Sequence, residues 1–524
     1  MKTRGIFVLL AMSVGAAAQV TDARMREANP NEWLTYNGSY SSQRYSLLKQ
    51  VSAANVAGLV PKWIFHVPNS GRLESVPVVV DGVMYITQPN EVYALDARTG
   101  RKIWDYHWPS GRRSFPNRGV AVWGDKVYFG TSDAHLVALN ARGGNLIWDA
   151  QMSDPQEGYA SAAAPLAVNG KIITGIAAGD WGLNGVLDAY DAETGKRLWR
   201  FNAIPRPGEP GNETWAGDSW KYGGGDTWLT GSYDPDTNLI YWGIGNPAPD
   251  FNGDPRKGDN LYTECMIALD ADTGKLKWYF QYTPHDNMDW DSVEIPVLVD
   301  APYKGKTRKL LAQANRNGFY YVLDRTDGKF LTGVPFVKLM NWATALTEDG
   351  RPVRIEGREP TPQGSKVCPA TSGATNWMSP AYSPDTGYFY VVAQEGCGIE
   401  SKATEAFRPG GFPYRGGGYI ESPEEPWRMH VRALDLATGK VQWDFEQVGT
   451  QHYGAGLLST AGGLLFAGDD RGNFTAHDAR TGKPLWHFYT GQPISASPMT
   501  YSLRERQYVA LAAGSDVIAF GLFE

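Results

Sequence analysis

Short runs of alternating apolar and polar residues fill most of the chain, and one phrase organises them. It recurs as "ALDARTGRKIW" (94–104), "ALNARGGNLIW" (138–148), "AYDAETGKRLW" (189–199), "ALDADTGKLKW" (268–278), "ALDLATGKVQW" (433–443) and "AHDARTGKPLW" (476–486). Each copy predicts strand, tight turn, strand. Gly tolerates positive φ, and Asp bonds its own backbone in the turn. In the strand that follows, alternation turns the Trp toward a core. Further strand pairs such as "GDKVYFGTSDAHLVAL" and "GGLLFAGDDRGNFTAH" lie between the phrases. Where spacing is tight, Trp104 to Trp148 is 44 residues and Trp443 to Trp486 is 43. A period near 40–45 with about four strands per unit is the pattern of a propeller blade. A degenerate copy, "VLDRTDGKF", begins at Val322, and "LVPKWIFHV" around Trp63 is a Trp strand without its turn. Eight such strands predict an all-β, eight-bladed β-propeller. The Trp63 strand completes the blade begun by the C-terminal segment, and each Trp locks one blade to the next.

The period breaks twice. Trp199 to Trp278 spans 79 residues, and the stretch from Met340 to Met429 is long and rich in Gly and Pro. One domain over 19–524 is expected, with long insertions near 200–265 and 335–430; loops on rigid scaffolds are where function concentrates.

The first twenty residues, "MKTRGIFVLLAMSVGAAAQV", read as a secretory signal peptide over 1–18. The expectation is an exported protein, periplasmic in a Gram-negative host. No later apolar run is long enough to span a bilayer. A formal charge of -7, a pI of about 5.7 and no basic run argue against a nucleic-acid partner. Of three cysteines, Cys368 and Cys397 close the shorter loop and are the expected disulfide, with Cys265 a small buried residue. No Cys-x-x-Cys-His occurs, so no c-type haem is attached to this chain.

Two segments carry candidate chemistry. "TPHDNMDWDSVE" (283–294) holds Asp286, Asp289, Asp291 and Glu294. On an extended segment Asp289 and Asp291 point the same way, with Trp290 to the other face. Two adjacent carboxylates suit a hard cation; Asp286 and Glu294 are expected only to shape or solvate the loop. In the first insertion, "GNPAP" holds Asn246 between residues that restrict the backbone, and its amide oxygen is a candidate metal ligand. Trp228, just upstream, offers a flat platform.

Over nearly its whole mature length, from "NEWLTYNGSYSSQRYSLLKQ" to "ASPMTYSLRERQYVALAAG", the chain resembles the pyrroloquinoline quinone (PQQ) dependent alcohol dehydrogenases. The Trp phrases, "NRGVAVW", "GNPAP" and "TPHD…DWD" follow that family's order. The resemblance implies PQQ and one metal ion in a central funnel. It assigns Asp180 (in "AAGDWGLNG"), Asn246 and Asp289 to the metal, and Trp228 to stacking on the cofactor. Glu74, Arg118, Arg316, Asn376 and Trp377 match cofactor-contacting positions. It further implies a metal that polarises the quinone, Asp289 as the base for the substrate hydroxyl, and Arg316 steadying charge on the cofactor. A small alcohol is the expected substrate and a separate cytochrome c the electron acceptor. The cysteine pair has a spacing similar to a family disulfide.

Three departures stand out. Asp180 replaces a Glu usual in the family and loses roughly 1.5 Å of reach. Asp291 stands where calcium members have a small neutral residue; the extra carboxylate is similar to lanthanide-dependent members and is a candidate ligand, so a lanthanide is favoured over Ca²⁺. Arg112 and Arg113 replace adjacent cysteines whose disulfide covers one face of the cofactor. The alternatives are a PQQ-dependent sugar or polyol dehydrogenase, and a non-catalytic propeller scaffold.

Overall fold

The turn phrases close as their residues dictate. In "AYDAETGKRLW" Asp191 Oδ1 accepts the N–H groups of Glu193 (3.1 Å) and Thr194 (2.8 Å) and the Thr194 hydroxyl (2.8 Å). Gly195 follows at φ +71°. The flanking strands, Val186–Asp191 and Arg197–Asn202, pair antiparallel across it. In this computed structural model residues 19–27, 29–111, 115–449 and 454–523 are described. The expected leader at 1–18 and the Arg112–Arg113 pair lie outside them.

Among the described residues, eight sheets contain four antiparallel strands each, for example Val78–Val80, Val83–Gln88, Glu91–Asp96 and Lys102–His107. One gains a fifth, parallel strand, Tyr45–Ser46 against Leu457–Thr460. The Trp63 strand, Leu59–His66, pairs antiparallel with Asp516–Leu522 near the C-terminus. Helix is scarce, and no helix among the described residues is long and apolar enough to cross a membrane. The second long insertion carries two extra sheets, Ala343–Leu346 with Pro352–Arg354, and Ser365–Val367 with Gly398–Lys402 and Gly417–Glu421. Cys368 and Cys397 are joined within it, and Cys265 is buried.

The repeated indoles link one sheet to the next. Trp63 donates to the Ala97 carbonyl, Trp104 to Ala141, Trp148 to Ala192, Trp199 to Ala271, Trp278 to Arg325, Trp443 to Ala479 and Trp486 to Leu59, all at 3.0–3.2 Å. Each acceptor lies in the following sheet, and the last returns to the strand that carries Trp63. The turn glycine receives the ring: a Cβ on Gly274 would lie 2.6 Å from Trp199. The degenerate copy works differently. Tyr320 donates its hydroxyl to the Leu436 carbonyl (2.8 Å), and Val334 packs where the next turn's Gly439 leaves room.

Alternating strand direction sorts the loops. The repeated turn phrases join third to fourth strands and fall at one end of the sheets that carry them; in the Trp63 sheet those two strands come from opposite ends of the chain. Loops joining second to third strands, and those passing to the next sheet, fall together at the other end. The extra length of both insertions and every described candidate site residue fall in these two loop types, with regular strands such as Leu239–Gly243 and Tyr388–Glu395 lying between them.

Candidate active site

Asp180 sits on a short 3-10 turn, Gly179–Trp181, after strand Lys171–Gly175. Asn246 and Asp250 follow strand Leu239–Gly243, and Asp289 and Asp291 lie between Leu276–Gln281 and Val297–Tyr303. Carboxylate oxygens of Asp180, Asp250 and Asp289 all lie within 4.8 Å of one another. Asp250 was not anticipated from sequence. Asn246 Nδ2 donates to Asp250 Oδ1 (3.1 Å), which fixes the amide orientation. Asn246 Oδ1 and Asp250 Oδ2 are then buried with no hydrogen-bond donor among the described residues.

Asp291 is placed differently from Asp289. The segment is not extended, since Asp289 has φ +60°, yet Asp289 and Asp291 face the same cavity while Trp290 turns away, as the sequence led us to expect. Asp291 Oδ1 accepts the Asn246 N–H (3.0 Å), and Oδ2 forms an ion pair with Arg316 Nη1. Both side chains line the cavity, but Asp291 stands outside the Asp180–Asp250–Asp289 group. A fifth acid, Asp226, adjoins them. Its Oδ2 accepts the Gly179 N–H (3.1 Å). Its Oδ1 and Asp291 Oδ1 each lie 2.3 Å from where a Cβ on Gly245 would sit, so only glycine fits there.

The remaining acids of "TPHDNMDWDSVE" are structural. Asp286 accepts the N–H groups of Met288 and Trp290 (both 3.2 Å) and is fully buried, which shapes the loop. Glu294 is buried rather than solvated. Trp290 turns into the core, where it packs edge-on against Trp342 and donates to the Ala370 carbonyl.

Burial dominates the electrostatics of these acids. It pushes the carboxyls of Asp226, Asp250 and Asp289 well above the usual range. Neighbouring carboxylates add to it: Asp291 and Asp180 for Asp226, and Asp180 for Asp250 and Asp289. Asp291 is also raised, chiefly by burial, with the Arg316 guanidinium pulling it back. Like charges held this close require a cation or protons.

Beside the acids a cavity of about 380 Å³ opens, bordered by Trp228 and Trp377 and entered by the guanidiniums of Arg118, Arg316 and Arg415. Arg118 lies 4.6 Å from the Trp228 ring centroid, and its Nη2 pairs with Glu74 at 2.7 Å. Glu74 is thereby set behind Arg118, outside the cavity lining. Arg316 also donates to the Thr371 carbonyl (2.6 Å). Asn376 is buried, lines the cavity and donates to the Ser372 carbonyl (3.1 Å).

The residues present fit both groups that the sequence implies. Indole faces with converging guanidiniums suit a flat, multiply anionic molecule. Three carboxylates with an undonated amide oxygen suit a hard cation. Residues 33–339 and 446–509 match the family model described as "PQQ: Glucose/ethanol/alcohol dehydrogenase, beta-propeller domain". The chain belongs to this quinoprotein alcohol dehydrogenase family. It is 40% identical to the quinoprotein alcohol dehydrogenase PedH of Pseudomonas putida over 97% of this chain and 90% of that one. A solved europium-containing methanol dehydrogenase superposes with a TM-score of 0.90 at 31% identity, covering 96% of this chain and 100% of that one. The quinohemoprotein alcohol dehydrogenase structure from Comamonas testosteroni gives 0.90 at 34% identity, covering 96% and 82%.

Within this quinoprotein fold, Asp226, Asp250 and Arg415 escaped the sequence reading. Asp250 had a readable signal: it ends "GNPAPD", four residues after Asn246, beyond two prolines that turn the chain. Asp226 stands two residues before Trp228. Arg415 reaches Asp180 across 235 positions, which no local pattern foretells.

Proposed function

We propose that the protein is an exported, eight-bladed quinoprotein dehydrogenase that oxidises a small alcohol to its aldehyde and passes electrons to a separate cytochrome c. The observation that carries this reading is the junction of two sites: the Asp180–Asp250–Asp289 group with Asn246 on one side, and the indole-walled cavity on the other. Each of the eight four-stranded sheets is read as a blade.

When bound, PQQ supplies the quinone that accepts a hydride from the carbinol carbon. The protein provides the rest. Asp180, Asn246, Asp250 and Asp289 would hold the metal ion. Asp289 removes the substrate hydroxyl proton, so it must be ionised. Burial and Asp180 oppose this, and a hard cation among the acids reverses that balance. Trp228 offers a flat face for the cofactor, and Arg118, oriented by Glu74, offers it a positive charge. Arg316, held by Asp291 and Thr371, points its guanidinium into the cavity, where it opposes developing negative charge. Phe115, Trp181 and Tyr419 also line the cavity and limit the water and alcohol that reach Asp289.

Three carboxylates favour a trivalent ion over a divalent one; Asp250 adds a third negative charge and a ligand oxygen where Asp180 has less reach than Glu. Reconstitution with PQQ and La³⁺ should give alcohol-dependent dye reduction exceeding that with Ca²⁺. Absence of PQQ binding under either ion would exclude the reading. Export is checked by N-terminal sequencing of periplasmic material: a start near Gln19 is expected, and an intact Met1 would refute it.

A further inference from the structure

The strap at 403–417 brings a positive charge to the acids. It is a loop of the second insertion, closed on itself by Ala403 N–H to the Gly416 carbonyl and Gly416 N–H to Glu405 Oε2, both 2.8 Å. Phe407 stacks on Tyr222 at 3.9 Å between centroids. Its main chain is pinned to both metal-site loops: Tyr414 N–H donates to the Asp180 carbonyl (2.7 Å), and Phe251 N–H donates to the Arg415 carbonyl (2.8 Å). Arg415 thus spans Asp180 and the residue next to Asp250. Its Nη2 lies 3.1 Å from Asp180 Oδ2, and its Nε lies 3.7 Å from Asp250 Oδ2.

We propose that Arg415 is a selectivity-determining residue of the metal site, a fixed cation that lowers affinity for any ion in the Asp180–Asp250–Asp289 cradle and penalises a trivalent ion more than a divalent one. The backbone anchors fix the root of the side chain beside the cradle, so its charge stays near an entering ion even where single contacts exchange. Repulsion then grows with ion charge, and ions compete with Arg415 for the same oxygens. Asp250 and Arg415 form a compensating pair: the first adds a negative charge to the cradle, the second offsets it. The side chain is half exposed, so solvent screens the effect without removing it.

The inference rests on the metal-cradle reading above, but its test requires neither PQQ nor alcohol. Tb³⁺ is titrated into the purified mature chain, with luminescence sensitised by the nearby Trp181 and Trp228, and Ca²⁺ is used as competitor. Loss of the signal in Asp289→Asn places the ion in the cradle. In Arg415→Gln, Tb³⁺ affinity should rise by about tenfold or more and Ca²⁺ affinity by a smaller factor. Arg415→Lys, which keeps the charge, should follow the wild type. Unchanged or weaker Tb³⁺ binding in Arg415→Gln would overturn the proposal. So would equal gains for both ions, a lysine variant that behaves like glutamine, or no ion binding in either protein. A chain that binds Tb³⁺ as expected yet oxidises no alcohol would fail the enzymatic reading alone.

Discussion

The two ends of the sheets treat the same side chain in opposite ways. At the turn end, Asp191 accepts two backbone N–H groups and the Thr194 hydroxyl, and those bonds, led by that hydroxyl, hold its carboxyl below the usual range. At the funnel end, Asp250 is fully buried, accepts one amide N–H from Asn246, and is driven well above that range by burial and by Asp180. The turn acid is satisfied by its own phrase, so it serves any sheet that repeats the phrase. At the other end, Asp226 Oδ1 and Asp250 Oδ2 have no hydrogen-bond donor among the described residues, and a bound cation would answer the charge gathered there. Acids that recur are scaffold here; those of the site do not recur, although a non-recurring acid such as Asp286 can also be structural.

The contrast can be broken most severely at Asp289. Asp289→Asn, which removes both a cradle oxygen and the base, should lower kcat by about a thousandfold or more. A loss under tenfold would put the base elsewhere. Asp250→Asn should weaken metal binding by roughly ten- to a hundredfold in equilibrium dialysis, more than Asp291→Asn, whose partner is Arg316. The reverse order would return Asp291 to the ligand set in place of Asp250.

At the turn end, Gly274→Ala must bring a Cβ within 2.6 Å of Trp199 at φ +67°. It should cost about 1–3 kcal/mol in urea unfolding and leave kcat nearly unchanged. Equal losses of activity and stability would erase the division between ends. The pH response separates them further. The raised carboxyls of Asp226, Asp250 and Asp289 hold protons that the unfolded chain releases. Their contribution to the stability of metal-free protein is therefore full below the ordinary carboxylate range and is lost as pH rises from there through the raised values, by about 1.4 kcal/mol per pH unit for each proton. Added metal should flatten that slope; a metal-free Tm that climbs over the same range would contradict it. Smallest is Asp191→Ala, about 1 kcal/mol with activity retained.

What was legible in the sequence follows the same division. The turn phrases could be read because each is local: Asp, Thr and Gly satisfy one another within five residues, and the Trp repeats with the sheet. Asn246 and Asp289 were legible through motif order. Asp289 and Asp291 do face one cavity with Trp290 turned away, but the sequence did not show that Asp291 is engaged by the Asn246 N–H and Arg316. Asp250 was readable beside Asn246 in "GNPAPD" and was overlooked, whereas Asp226 and Arg415 depend on loops from different sheets meeting in space, which no periodicity encodes. Glu74 matched by position, yet its contact with the site runs through Arg118.

A hard cation held by Asp180, Asn246, Asp250 and Asp289 should complete these acids. It would be located by anomalous diffraction from crystals grown with PQQ and a lanthanide. One peak is predicted within coordination distance of Asn246 Oδ1 and the three carboxylates, with the Arg316–Asp291 pair intact. A peak centred on Asp291 with Asp250 unbound, or no peak in the funnel, would contradict it.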